Sequence, residues 1–164
     1  MKKIKLYIAC VLMVSVLLAG CGDSKEKEGK YTSKEIYDKV AASVTDMENM
    51  TVVDNTTDEG KNAFSYVTEM DLDEIKDFVF AYSADGKADE IVVMQVKDSS
   101  NISTAKKDLE ERLETRKSTF SVYNAEEGTK FSGATVVTKG NYLMLIIGNQ
   151  AQNGKYEFNK LFEE

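Results

Sequence analysis

The most regular hydrophobic pattern in the chain lies between residues 90 and 148. Every position of 142–147 is apolar, which is typical of a central strand covered on both faces. Residues 90–97 predict a second strand, and a helical periodicity over about 101–120 predicts a long amphipathic helix after it. We therefore expect the hydrophobic core to form around these three elements.

The predicted long helix has an apolar stripe on one side and charged residues on the other. The stripe is formed by Ile102, Ala105, Leu109, Leu113 and Phe120. The residues expected to face water are Lys106, Asp108, Glu110, Glu111 and Arg112. Among these, Asp108 and Arg112 are correctly spaced for a surface ion pair, worth only about 0.2–0.5 kcal/mol. The stripe is therefore assigned to the core and the charged face to the solvent.

Patterns in the first half of the chain predict one helix and one loop. Thr32 and Glu35 have the spacing of a capping box, and apolar residues then recur at helical intervals. A first helix is therefore predicted over about 33–49. Residues 51–63 are polar and rich in Thr, Asp and Asn, which predicts a loop.

Two hairpins and a closing helix complete the predicted elements. The first hairpin joins a strand at 78–83 to the strand at 90–97 through the turn signal Asp85-Gly86. The second joins a strand at 133–138 to the apolar strand through a tight turn at 139–141. One face of a short closing helix is formed by Phe158, Leu161 and Phe162.

Two successive strand-strand-helix units therefore follow an opening helix. This order predicts an α+β fold, a two-layer sandwich with a mainly antiparallel sheet and helices packed on one of its faces. Residues 32–164 are expected to form a single domain, which is large enough to fold without disulfides.

The first twenty residues have the pattern of a cleaved signal peptide. Three lysines near the start precede an apolar run of about fourteen residues, shorter than the roughly twenty that span a membrane. The run ends in Leu18-Ala19-Gly20-Cys21, which resembles the lipobox of bacterial lipoproteins. This resemblance implies cleavage before Cys21 and lipid attachment to its sulfur. Residues 21–31 are polar and charged, so they are expected to form a flexible tether.

The composition narrows the chemistry that the chain can perform. It contains no histidine, and its two cysteines are Cys10, within the apolar run, and Cys21. The mature chain is therefore expected to have no free thiol, disulfide or cysteine metal site. Without Lys2, Lys3 and Lys5, the 21 basic residues fall to 18 against 28 acidic ones, a net charge of −10. Nucleic-acid binding is not expected, because acids accompany the basic residues of the long helix, namely Lys106, Lys107, Arg112, Arg116 and Lys117.

Two acidic patterns suggest a cation site at first sight. Asp54, Thr56 and Asp58 alternate as in a calcium-binding loop, but the glycine comes one position late, at Gly60. Ser65 also stands where a bidentate glutamate should close the loop. The second pattern, interpreted as a solvated turn before a strand, consists of Asp71, Asp73, Glu74 and Asp77. No metal, cofactor or catalytic site is therefore predicted.

Four segments of the chain resemble a known family. They are residues 73–80, 88–98, 113–120 and 134–147, and the most specific pieces are Ala88-Asp-Glu-Ile and Lys139-Gly-Asn-Tyr. These segments are similar to the DUF4358 family, small bacterial lipoproteins of unknown function found mainly in Clostridia and their relatives. The resemblance covers about residues 64–163. It implies no activity, and no functional residues can be transferred from it.

The function expected from these observations is binding rather than catalysis. We expect a monomeric lipoprotein on the outer face of the cytoplasmic membrane, anchored through lipid on Cys21, with an envelope protein or the cell wall as partner. One alternative is an envelope hydrolase using carboxylates or a Ser/Lys pair. Ser103 and Lys106 have the Ser-x-x-Lys spacing of such a pair, but no supporting motif accompanies them. Another is a small solute-binding lipoprotein, although a cleft between two lobes usually requires a longer chain.

Overall fold

Five strands form one open antiparallel sheet in the computed structural model, which describes residues 30–163. The strands are β1 Met50–Asp54, β2 Ile75–Ser83, β3 Glu90–Val96, β4 Thr135–Lys139 and β5 Tyr142–Ile147. The helices are α1 Ser33–Ala42, α2 Asp58–Phe64, α3 Ile102–Tyr123, α4 Ala125–Gly128 and α5 Ala151–Lys160. The order across the sheet is β1-β2-β3-β5-β4, so β5 is an interior strand although it comes last along the chain.

The predicted signal peptide, Cys21 and the tether up to residue 29 lie outside the described residues. Within the described part of the chain, no helix combines the length and apolar character that crossing a membrane requires. The last predicted tether residue, Tyr31, packs edge-on against Phe162, with ring centroids 6.1 Å apart. Its backbone carbonyl also accepts a hydrogen bond of 2.6 Å from the hydroxyl of Tyr142. The chain is therefore held against β5 and the segment after α5 before α1 begins.

The α+β class and the antiparallel sheet are confirmed, but the helices cover both faces of the sheet. On β5, Leu143, Leu145 and Ile147 belong to the core beneath α2 and α3, whereas Tyr142, Met144 and Ile146 belong to the core beneath α1 and α5. The predicted two-layer arrangement with helices on one face is wrong in this respect. The physical reason is that β3 and β5 are buried at every position, so each of their faces needs a cover.

Helix α1 begins as predicted and ends earlier. The side chain of Thr32 accepts a hydrogen bond from Glu35 N at 3.2 Å, and the Glu35 carboxylate accepts one from Thr32 N at 2.8 Å, which confirms the capping box. The helix ends at Ala42 rather than near residue 49. Asn49 has a φ of 52°, which only a few residue types tolerate, and this turn directs the chain into β1.

The predicted loop at 51–63 instead contains most of β1 and all of α2 except its last residue. Polar composition hid both elements, because β1 is a half-exposed edge strand and α2 buries only Gly60 and Phe64. Thr57 caps α2 by accepting a hydrogen bond of 3.0 Å from Gly60 N. A Cβ at Gly60 would lie 1.9 Å from the carbonyl oxygen of Asp54. The glycine therefore allows α2 to lie directly against the end of β1, rather than belonging to a calcium loop.

The two predicted hairpins and the long helix are present. β2 pairs with β3 and β4 pairs with β5, and the turns contain Gly86 at φ 73° and Gly140 at φ 52°. Across the interior of the sheet, Val92 of β3 lies opposite Leu145 of β5. The predicted apolar stripe of α3 packs on the core, through the residues Ile102, Ala105, Leu109, Leu113 and Phe120.

Candidate groove between helices α2 and α3

A groove of about 380 Å³ opens between α2 and α3, above strand β2. Phe80 and Tyr82 of β2 form its floor, Arg112 and Arg116 of α3 form one wall, and Tyr66, just after α2, forms the other. We call this feature the α2–α3 groove. A second depression of about 270 Å³ adjoins it and shares Tyr66 and both arginines. Two successive turns of α3 therefore line one continuous surface.

Arg112 is held at this surface by a buried carboxylate. Its Nε donates to Glu90 Oε1 at 2.6 Å and its Nη2 donates to Glu90 Oε2 at 2.7 Å. The third contact runs from Nη1 to the carbonyl oxygen of Tyr66, at 2.7 Å. The side chain of Glu90 is 0% exposed and that of Arg112 is 15% exposed. Such a two-point pair fixes the orientation of the guanidinium group, and here it also ties α3 to the segment after α2.

Arg116, one turn further along α3, is less completely bonded. Its Nη2 donates to the carbonyl oxygen of Ala88 at 3.1 Å, and its Nε lies 3.1 Å from Glu90 Oε2 without the geometry of a hydrogen bond. Among the described residues, Nη1 has no hydrogen-bond partner. Burial lowers the pKa of Arg116, while the negative charge of Glu90 raises it and Arg112 lowers it further. Two guanidinium groups therefore share one carboxylate at the inner wall of the groove.

A second buried ionic group lies beside the first. Lys130 Nζ is 2.6 Å from Asp89 Oδ2 and 3.1 Å from Glu127 Oε2, and the same Glu127 oxygen accepts a hydrogen bond of 2.6 Å from Ala88 N. Asp89 Oδ1 is buried and has no hydrogen-bond partner within the described part of the chain. Together the two groups contain three acids and three bases. The group at the groove has two arginines for one carboxylate and is net positive. The group at α4 has two carboxylates for one lysine and is net negative.

The stability that Glu127 contributes is expected to disappear in acid. Burial raises the pKa of its carboxyl group, but the hydrogen bond from Ala88 and the ammonium of Lys130 outweigh this, so the pKa lies below the ordinary value of 4.5. A lowered pKa stabilises the fold above the unfolded value, and that contribution is lost as the pH falls through the folded value. Urea unfolding from about pH 7 to about pH 3 should show a smaller acid-dependent loss for Glu127→Gln than for the wild type. Equal losses would contradict the assignment.

Asp108 does not form the predicted surface pair with Arg112. Its Oδ2 accepts hydrogen bonds from Thr68 Oγ1 at 2.6 Å and from Glu69 N at 3.1 Å. Arg112 instead points inward to Glu90. The prediction that both side chains face only water is therefore wrong, because the segment after α2 covers this part of α3. The remaining surface pairs of the helix include Lys106 with Glu110 and Lys107 with Glu111.

The acidic residues of 71–77 are dispersed in the structure, and the last of them, Asp77, lies within β2. Asp71 caps a short 3₁₀ helix and accepts a hydrogen bond of 2.9 Å from Asp73 N, and the side chains of Asp73 and Glu74 are exposed. Asp77 points elsewhere and accepts a hydrogen bond of 2.9 Å from Ser33 N, at the start of α1. Within residues 30–163, no group of three or more His, Cys, Asp or Glu residues is placed to hold a metal ion.

The other residues with chemistry-like spacing are also separated or used locally. Asp54 accepts hydrogen bonds from the hydroxyl and the backbone N–H of Thr56, which lower its pKa. Ser103 is exposed on the first turn of α3, and Lys106 pairs with Glu110. These side chains shape turns and the surface of a helix.

Chelators and reductants are expected to leave the melting temperature of the protein unchanged. The acidic side chains of 71–77 bond to their own turn or to α1, and the predicted mature chain can form no disulfide. Thermal unfolding with and without EDTA, and with and without a thiol reductant, tests this directly. A clear decrease with EDTA would show that the acidic cluster binds a cation.

Sequence reasoning missed the groove because its residues are distant along the chain. Tyr66, Tyr82 and Arg116 come from three elements, and the helix that places Tyr66 was predicted to be a loop. One signal was available. Ala88-Asp-Glu-Ile places two carboxylates at the entrance of an apolar strand, and buried carboxylates need cationic partners.

The chain was compared with protein families, curated proteins and solved structures. The model of a family described as "Domain of unknown function (DUF4358)" matches residues 45–148. The match runs from just before β1 to the end of β5, so it contains the whole sheet and both walls of the groove. No curated protein and no solved structure matches the chain.

Proposed function

The chain belongs to the DUF4358 family, and from this premise we propose that it is an extracytoplasmic lipoprotein whose folded domain is a non-catalytic binding module. The α2–α3 groove is the binding surface, and lipid on Cys21 holds the domain at the outer face of the cytoplasmic membrane. An envelope protein or a component of the cell wall is the partner, and the protein acts as a monomer.

The main support for this proposal is that two carboxylates at the groove already have partners within the protein. Glu90 is fully buried between two guanidinium groups, and Asp108 accepts two hydrogen bonds from the segment after α2. Carboxylates held in this way are fixed in position and already have partners within the protein, whereas a general acid or base must be free to exchange protons with a substrate. A lining of fixed charges and aromatic rings suits recognition of a ligand.

The position of the groove relative to the start of the domain agrees with tethering. Tyr31 enters beside Phe162, in the layer that contains α1 and α5. The groove lies in the layer of α2 and α3, on the opposite face of the sheet. The described part of the chain therefore enters the domain on the face of the sheet opposite the groove. Anchoring would be stable if Cys21 carries two acyl chains, because a single chain binds a membrane only weakly.

Mass spectrometry of the N-terminal peptide from a detergent-extracted membrane fraction tests the anchor. We expect a mature chain that begins at a diacylglyceryl-modified Cys21. An unmodified Cys21, or a mature chain that retains residues 1–20, would refute both the anchor and the location.

Photo-crosslinking on intact cells tests the binding role separately. A photoreactive phenylalanine derivative is placed at Tyr66, which is 76% exposed at the groove, or at Tyr156, which is 69% exposed on α5. We expect a discrete envelope adduct from position 66 and none from position 156. Equal labelling at both positions, or no adduct at position 66, would contradict a binding role for the groove.

A further inference from the structure

The inner wall of the α2–α3 groove offers hydrogen-bond donors to a ligand. The guanidinium of Arg112 is fully oriented by Glu90 and Tyr66. That of Arg116 is held by the carbonyl oxygen of Ala88, by an ion pair with Glu90 at 3.1 Å and by the ring of Phe120. Its side chain is 23% exposed, and its Nη1 has no partner among residues 30–163. A ligand carboxylate at this position would complete the pairing of the second arginine, and partial burial strengthens such a contact.

Aromatic rings form the other surfaces of the groove. Tyr66 stands at the rim, and Tyr82 lies on the floor beside Phe80, with ring centroids 4.8 Å apart. Flat ring surfaces beside hydroxyl groups can cover the C–H face of a sugar ring while polar groups bond its edge. The groove volume of about 380 Å³ is in the range of small-molecule sites.

The α2 side of the groove has the opposite chemistry to the α3 side. Glu59 and Asn62 of α2 line it and offer acceptor oxygens to a ligand. A second carboxylate on this side would be repelled by Glu59, whereas hydroxyl groups would donate to it. The ligand that fits both sides has one carboxylate and, across a ring, several hydroxyl groups.

We propose that the α2–α3 groove binds an acidic sugar, with the carboxylate of the sugar on Arg116, its ring against Tyr66 and Tyr82, and its hydroxyl groups toward Glu59 and Asn62. This inference rests on the proposed binding role and specifies the class of ligand. The acid group of the sugar provides the affinity on the α3 side, and the hydroxyl groups set its orientation.

The test compares D-glucuronate with D-glucose, which has a CH₂OH group in place of the carboxylate, and with phenylacetate, which keeps the carboxylate and lacks the hydroxyl groups. Binding to the full chain in a sugar-free detergent is measured by ligand-observed NMR and calorimetry. We expect glucuronate to bind at least about tenfold more tightly than either comparison compound. Absence of glucuronate binding at millimolar concentration, or equal binding of glucose, would overturn the proposal. Equal binding of phenylacetate would overturn the assignment to sugars.

Matched variants locate the site. Arg116→Gln should weaken glucuronate binding about tenfold and Tyr66→Ala about fivefold, because each removes one contact. The controls are Lys117→Gln, which removes an exposed charge from the next position of α3, and Tyr156→Ala, which removes an exposed ring from the opposite face. Both controls should bind glucuronate as the wild type does.

The Tyr66 variant and the crosslinking result keep this inference testable and separate it from the proposed function. If Arg116→Gln fails to fold, Tyr66→Ala alone decides the site, because its side chain is mostly exposed. Unchanged binding in Tyr66→Ala would then overturn the proposal. An envelope adduct at position 66 without glucuronate binding would leave the binding role standing and refute the acidic sugar.

Discussion

Replacing Glu90 with alanine is expected to reduce the free energy of unfolding by about 3–5 kcal/mol. The carboxylate is 0% exposed and is the shared partner of Arg112 and Arg116. Its removal leaves the guanidinium groups of Arg112 and Arg116 close together at the start of β3. Both are mostly buried and would have no carboxylate partner there. Urea unfolding of the purified protein measures the loss.

The control for this variant is Glu114→Ala, which removes an exposed carboxylate from α3. Its free energy of unfolding should stay within about 0.5 kcal/mol of the wild-type value. Glu90→Gln keeps the side-chain volume and removes only the charge, so it should retain part of the stability. Comparable small losses for Glu90→Ala and Glu114→Ala would show that the buried ionic group does not hold α3 on the sheet.

Replacing Leu145 with alanine is expected to cost about 2–5 kcal/mol. The side chain is 0% exposed on β5 and lies between Val92 of β3 and Val136 of β4 in the register of the sheet. Alanine would leave a cavity beneath α3 that the paired strands cannot close. Chemical unfolding measures the change, with Val122→Ala as a control, because Val122 is an aliphatic residue that is already 76% exposed. A loss below about 1 kcal/mol would contradict the position of β5 in the core.

The elements that the sequence predicts well are those whose pattern comes from burial. β5 is apolar at every position, and the stripe of α3 repeats at helical intervals, so each could be located without knowing its neighbours. β1 and α2 have no such signal, because an edge strand and a short helix with two buried residues are mostly polar. The layer arrangement required knowledge of which helix covers which face, and periodicity within one strand does not contain that information.

The groove was less accessible to prediction than the fold. Arg112 was assigned to water because it lies outside the apolar stripe of α3, whereas its actual environment is set by Glu90 and by the segment after α2. An arginine on the flank of a helix can point to solvent or to a buried carboxylate, and the choice depends on a partner 22 residues away. Ion pairs between residues far apart in the sequence form only when the helices pack on the sheet, so the local sequence pattern does not predict them.

The place of β5 also determines when the domain can fold. Until residues 142–147 have been synthesised, the outer edge of β3 lacks its partner strand, and β4 has no strand to join it to the sheet. Both hydrophobic cores would then be open along one side. A nascent chain therefore needs its residues through Ile147 before the sheet is complete, and truncation before β5 would leave an unpaired apolar strand edge that favours aggregation.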